Sequence, residues 1–137
     1  VDASVAFKWF SQNENEDDLE KALAILSSNQ NQQNIIIVPD LMLYELVNAW
    51  ATKTALSLKG IRTFLKDLQN SNLKIEAVKY KLLNQAATLS KKYQISVYDA
   101  VYIALAKQKR CLFLTADQRL ATKVNLSFIK ALGDYKI

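Results

Sequence analysis

Ile35-Ile36-Ile37-Val38 is an unbroken β-branched run, and it limits the fold more than any other stretch. β-Branched side chains favour extended backbone. A strand that is apolar on both faces must be covered on both, which is the pattern of a parallel strand buried between helices. Pro39-Asp40 ends the run and opens a helix expected from about Leu41 to Lys53. Cys111-Leu112-Phe113-Leu114-Thr115 repeats the pattern, and Ala116-Asp117-Gln118-Arg119-Leu120 turns into a short helix. Strands alternating with helices predict a three-layer α/β/α sandwich with a central, mainly parallel sheet. A length of 137 residues suits one domain with one core, spanning residues 1–137. With only 2 Gly and 1 Pro, long flexible linkers are not expected.

The remaining elements follow from periodicity. Val1 to Val5 reads as a strand end turning into a helix that runs to about Phe10. The chain begins Val-Asp without Met, and residues before Val1 are expected to complete that first strand without contributing a ligand. Glu14 to Glu20 is an acidic run read as a solvated helix start ahead of Ala22-Leu23-Ala24-Ile25-Leu26, because acids in a first turn complement the helix dipole. Ser28 to Asn34 is read as a Gln/Asn-rich loop. Leu58 to Asn70 and Tyr80 to Tyr93 are amphipathic helices. Leu73 to Val78 alternates like a short edge strand, and Leu126 to Ile129 reads as a last strand. Ser96 followed three residues later by Asp99 marks a helix start. The residues beyond it, Ala100-Val101-Tyr102-Ile103-Ala104-Leu105-Ala106, are apolar almost all round, so this helix belongs inside.

Composition excludes several chemistries. There is no histidine, which removes His-based acid–base catalysis, Ser-His-Asp triads and most zinc sites. The single Cys111 permits no internal disulfide framework and fits a reducing compartment such as the cytoplasm. No signal peptide is visible, and no apolar run approaches the roughly 20 residues needed to cross a bilayer. The net charge of +5, from 18 basic against 13 acidic residues, favours a polyanionic partner over a membrane.

What remains for chemistry is carboxylates and hydroxyls. Four acids occupy comparable settings. Asp2 and Asp117 follow strands, Glu45 lies in the helix after a strand, and Asp99 opens the buried helix. In parallel sheets ligands bind beyond the carboxyl ends of the strands, so all four are expected near one sheet edge. Asp2, Asp99 and Asp117 also have a plain structural reading as helix caps or a capping-box acid. Glu45, Asn48 and Thr52 form a narrow polar stripe on an otherwise apolar helix, either a water-facing edge or part of a site. Neighbouring carboxylates repel by roughly 1–4 kcal/mol per pair at about 4 Å, and a hard divalent cation would neutralise them.

Val-Asp-Ala-Ser-Val at 1–5, Pro39-Asp40 leading to Tyr44-Glu45-Leu46-Val47-Asn48-Ala49, Tyr98-Asp99-Ala100 with Ala104 and Ala106, and Leu114-Thr115-Ala116-Asp117 together resemble the PIN-domain family. Within it, the chain is most similar to the toxin ribonucleases of VapBC-type toxin–antitoxin pairs. The resemblance implies an acidic, metal-binding catalytic site of Asp2, Glu45, Asp99 and Asp117, with Thr115 and Ser4 as accompanying hydroxyls and Asn48 as an amide that positions Glu45. It implies Mg²⁺ or Mn²⁺ as cofactor, RNA as substrate, an antitoxin protein that covers the site, and a homodimer. Trp9, Phe10 and Trp50 are either core or part of such protein-binding surfaces. Lys53, Lys59, Arg62, Lys107, Lys109, Arg110, Arg119 and Lys123 are candidate phosphate contacts. Two alternatives stand beside this: a PIN-like domain that binds RNA or protein without cutting, and a receiver-type phosphoacceptor. The latter normally needs adjacent acids after its first strand, where here Asp2 stands alone.

Overall fold

The structure, a computed structural model, describes residues 1–136. Seven helices and four short strands alternate along them: α1 Ala3–Lys8, α2 Leu19–Gln30, β1 Ile37–Pro39, α3 Leu41–Lys53, α4 Leu58–Gln69, β2 Lys74–Glu76, α5 Tyr80–Tyr93, α6 Val97–Lys109, β3 Phe113–Thr115, α7 Gln118–Val124 and β4 Ile129–Ala131. The strands form two parallel pairs. β1 pairs with β2, Val38 opposite Ile75, and β3 pairs with β4, Leu114 opposite Lys130. Parallel neighbours need a crossover. Helices α3 and α4 supply one and α7 the other. The architecture is the expected PIN-like α/β/α class, its sheet present among the described residues as two ribbons rather than one continuous sheet.

Helix α6 organises the interior. Residues Ala100 to Ala106 are all buried. Ala100, Val101, Ala104 and Leu105 pack on Leu82 and Ala86 of α5, while Tyr102, Ile103 and Ala106 join the main core. Small residues on the α5 side let the two helices approach closely. Trp9 and Trp50 are buried, and Phe10 packs between Trp50 and Phe64, so these aromatics are core rather than exposed docking surface.

Several boundaries differ from the sequence reading, each for a local reason. The first strand begins at Ile37, not Ile35. Ile35 is exposed, and the Ile36 amide is taken by the Asn29 side chain. The strand also runs through Pro39, whose position at its end removes no needed donor, and the Asp40 amide continues the ladder to the Glu76 carbonyl. Residues Leu126–Phe128 are not strand: α7 ends on left-handed Asn125, and the Ile129 amide closes a turn onto the Leu126 carbonyl. The acidic run precedes α2 rather than forming its first turn, where only Glu20 remains. Lys8 bridges Glu16 at 2.8 Å and also binds the Asp17 carbonyl, holding the run against α1. The helix α2 extends to Gln30, so the Gln/Asn-rich loop is shorter than expected.

Asn29 is the polar linchpin of this region. It is buried, donates to the Ser71 carbonyl at 2.8 Å and accepts the Ile36 amide at 2.7 Å. Replacing it with Leu strands both backbone groups at a cost of about 1–3 kcal/mol each. Denaturant unfolding of Asn29→Leu is expected to show a lower midpoint at unchanged slope. A midpoint equal to that of the wild type would contradict the assignment.

Candidate active site

Asp2 is the N-cap of α1. Its carboxylate accepts the Ser4 hydroxyl at 2.5 Å and the Val5 amide at 3.2 Å, and it is buried. The Asp2 amide donates to the Leu114 carbonyl, which anchors the cap beside β3. Ser4 donates to Asp2, accepts the Ala116 amide at 2.9 Å, and lies 3.5 Å from the buried Thr115 hydroxyl. Thr115 in turn accepts the Asp117 amide at 3.0 Å. This Ser4–Thr115 pair links the start of α1 to the loop after β3, so two of the four acids are held by one hydroxyl relay.

Asp117 is the N-cap of α7, accepting the Arg119 and Leu120 amides. Asp99 sits at the start of α6. The Ser96 hydroxyl accepts the Asp99 amide at 3.0 Å and donates to its carboxylate at 2.7 Å. The capping roles read from sequence for Asp2 and Asp117 are therefore realised, while at the start of α6 the cap is Ser96, and the Asp99 carboxylate meets the Ser96 hydroxyl rather than its amide. Capping and site chemistry do not compete here: each cap bond occupies only part of a carboxylate's acceptor capacity.

Glu45 is half-buried on α3, and its carboxylate accepts the Tyr102 hydroxyl of α6. The polar stripe on α3 divides. Glu45 turns inward, while Asn48 and Thr52 are exposed, with the Thr52 hydroxyl donating to the Asn48 carbonyl. The positioning expected of Asn48 is thus supplied by Tyr102, a residue sequence reasoning did not single out. Its signal was present: Tyr102 lies three residues after Asp99, on the same face of α6, inside an otherwise apolar run. A buried tyrosine needs a partner for its hydroxyl, and Glu45 is that partner.

Glu45 lies in the field of Asp2 and Asp99. Burial raises the Asp2 carboxyl above the ordinary carboxylate range, against the opposing hydrogen bonds of Ser4 and Thr115. Burial also raises Glu45, and the charges of Asp2 and Asp99 push it further, while the Tyr102 hydroxyl works in the other direction. Among the described residues none of Asp2, Glu45, Asp99 and Asp117 has a cationic partner. Glu45, Ser4 and Asp117 line an open cleft of about 650 Å³ between α1, α3 and the β3–α7 loop, with Phe7, Ala49 and Lys53. The donor set is all oxygen, which suits a hard divalent ion. No three acids among the described residues stand close enough to ligate one ion together, so the arrangement fits an ion held by one or two carboxylates and otherwise by water, the usual habit of Mg²⁺.

A family model described as the PIN domain matches residues 1–125. The chain belongs to the PIN-domain family. The match takes in all four acids, both hydroxyls and Tyr102, and it sets aside the receiver-type alternative. PIN domains are generally nucleases, hydrolases that use divalent metal ions. No curated protein matches the chain. No helix of this PIN domain is long and apolar enough to cross a membrane among the described residues.

Asp117 separates capping from chemistry. Asn caps a helix as well as Asp, while Ala forfeits about 1 kcal/mol. Asp117→Asn is expected to keep the melting temperature and lose cleavage, and Asp117→Ala to lose both. An Asn variant with wild-type cleavage would reduce Asp117 to a cap.

Proposed function

We propose that this PIN domain is a cytoplasmic, Mg²⁺- or Mn²⁺-dependent endoribonuclease, the toxin of a toxin–antitoxin pair, which hydrolyses RNA phosphodiester bonds at the Asp2, Glu45, Asp99 and Asp117 cluster. The observation that carries this reading is a Glu45 carboxylate repelled by Asp2 and Asp99, with Asp117 on the same open cleft and no cationic partner for any of the four among the described residues, in a chain of a nuclease family. Such a cluster is stabilised by a cation, and a basic protein favours a polyanionic substrate.

The chain's own residues have distinct tasks. One or two of Asp2, Glu45, Asp99 and Asp117 would hold the divalent ion directly and the others through its waters, and when bound it would polarise the phosphodiester and acidify the attacking water. Tyr102 orients Glu45, and its hydrogen bond to that carboxylate favours the charged form. Ser4 and Thr115 fix the spacing between Asp2 and the Asp117 loop. Burial of Asp2 excludes water from its flank and strengthens its field. The antitoxin and a second copy of this chain are the expected protein partners, the antitoxin lying across the cleft.

Thermal melts with and without a divalent ion test the cofactor directly. A ligand that binds only the folded state stabilises it by about 2.7 kcal/mol at a hundred times its dissociation constant. Mg²⁺ or Mn²⁺ is expected to raise the melting temperature of the wild type, and EDTA to reverse the rise. The same ions should give cleavage of single-stranded RNA. An unchanged melt together with cleavage insensitive to EDTA would contradict the metal-dependent reading.

A further inference from the structure

We propose that Lys53 is a substrate-positioning residue, and that the RNA backbone runs from the acids along α3 towards it. This rests on the ribonuclease reading above and names where the strand lies. Two cations border the cleft that holds Glu45, Ser4 and Asp117: Lys8 and Lys53. Lys8 is committed to Glu16 at 2.8 Å and to the Asp17 carbonyl. Lys53 is exposed and makes no ion pair or hydrogen bond among the described residues. None of the other basic residues singled out from sequence lines this cleft, and Lys109 and Lys123 are engaged elsewhere, with Glu76 and the Gln94 carbonyl.

The helix sets the distance. Lys53 lies eight residues after Glu45, about 12 Å further along α3 at ~1.5 Å per residue. Ala49 sits between them on the cleft wall and leaves the path open. An unpaired ammonium at that separation contacts a phosphate flanking the scissile one, not the reacting group itself. Lys53 is therefore a positioning residue, and its loss acts on binding rather than on the chemical step. The competing role is structural, since a lysine in a last helical turn also complements the helix dipole.

Binding separates these roles. The full chain carrying Asp99→Asn is titrated with a labelled single-stranded oligoribonucleotide in Mg²⁺ at several salt concentrations, with and without Lys53→Ala. Lys53→Ala is expected to weaken binding five- to tenfold and to lower the slope of log affinity against log salt by about 0.7, the share of one phosphate contact on a single strand. Lys53→Arg restores the slope, and Lys66→Ala on the outer face of α4 leaves it unchanged. In the otherwise wild-type enzyme, Lys53→Ala raises KM at constant kcat. Unchanged affinity and slope in Lys53→Ala, with cleavage still dependent on Asp99, would overturn the role of Lys53 and leave the ribonuclease reading standing. A lowered melting temperature at unchanged slope would assign Lys53 to the helix terminus alone. Failure of the wild type to bind or cut any RNA would overturn both proposals.

Discussion

Glu45→Gln is expected to lower RNA cleavage about 10²–10³-fold, equivalent to several kcal/mol of lost electrostatic assistance, while making the protein more stable. The glutamine keeps the shape of the side chain and still accepts the Tyr102 hydroxyl. What it removes is a charge that the fold disfavours, since burial and then the Asp2 and Asp99 charges all raise the Glu45 carboxyl. Because the folded state holds that proton more tightly than the unfolded chain, ionisation destabilises the fold. The penalty is complete above the raised folded value. It fades as pH falls through that value, and is gone below the unfolded one. The variant should therefore be more stable than wild type near neutrality and converge with it in acid. Glu45 is only half withdrawn from water, so screening limits the gain to about 0.5–1 kcal/mol. Urea melts across pH and a cleavage assay together check this. A variant that is both inactive and less stable would mean that Glu45 is a structural acid.

The second large effect is in the aromatic core behind the cleft. Trp50 is 1% exposed and lies edge-on to Phe10 at 5.1 Å and Phe64 at 5.4 Å between ring centres. Trp50→Ala should cost about 3–5 kcal/mol through lost burial and the cavity left behind. Against a total of about 5–15 kcal/mol, that leaves the domain close to unfolding. The indole nitrogen of Trp50 is buried without a partner, which lowers the cost of losing it. Trp50→Phe keeps ring contacts with Phe10 and Phe64 and removes the unpaired donor, so its loss should stay under about 1.5 kcal/mol. Chemical denaturation of the pair measures both. Equal losses in the two variants would contradict the packing account.

Much of this was legible in the residues because their periods were strong. The helix from Leu41 to Lys53 and that from Tyr80 to Tyr93 begin and end where the pattern places them. The parallel sense of the strands followed from their β-branched runs and intervening helices. The strand edges did not follow, because side-chain to backbone bonds decide them: Asn29 takes the Ile36 amide, and a tight turn consumes Leu126 to Phe128. The site divided in the same way. Asp2, Ser4, Thr115 and Asp117 share a relay between residues far apart in the chain, and it joins the start of α1 to the β3–α7 corner, which the bond from the Asp2 amide to the Leu114 carbonyl brings together. Tyr102 was missed because an aromatic in an apolar helix reads as core, and it is core in every atom but its hydroxyl. That Lys8 is spent on the acidic run and Lys53 is not is a matter of tertiary pairing, which periodicity does not carry.

Metal-dependent RNA cleavage by this PIN domain can be assayed by incubating a mixed RNA pool with wild type and with Asp99→Asn. Each protein is assayed in Mg²⁺ or Mn²⁺ and again with EDTA. Fragments are expected only from wild type with a divalent ion, and Asp99→Asn is expected to remain folded, since Asn keeps a polar group beside Ser96. Cleavage by Asp99→Asn at the wild-type rate, or by either protein in EDTA, would contradict metal-dependent cleavage at these acids.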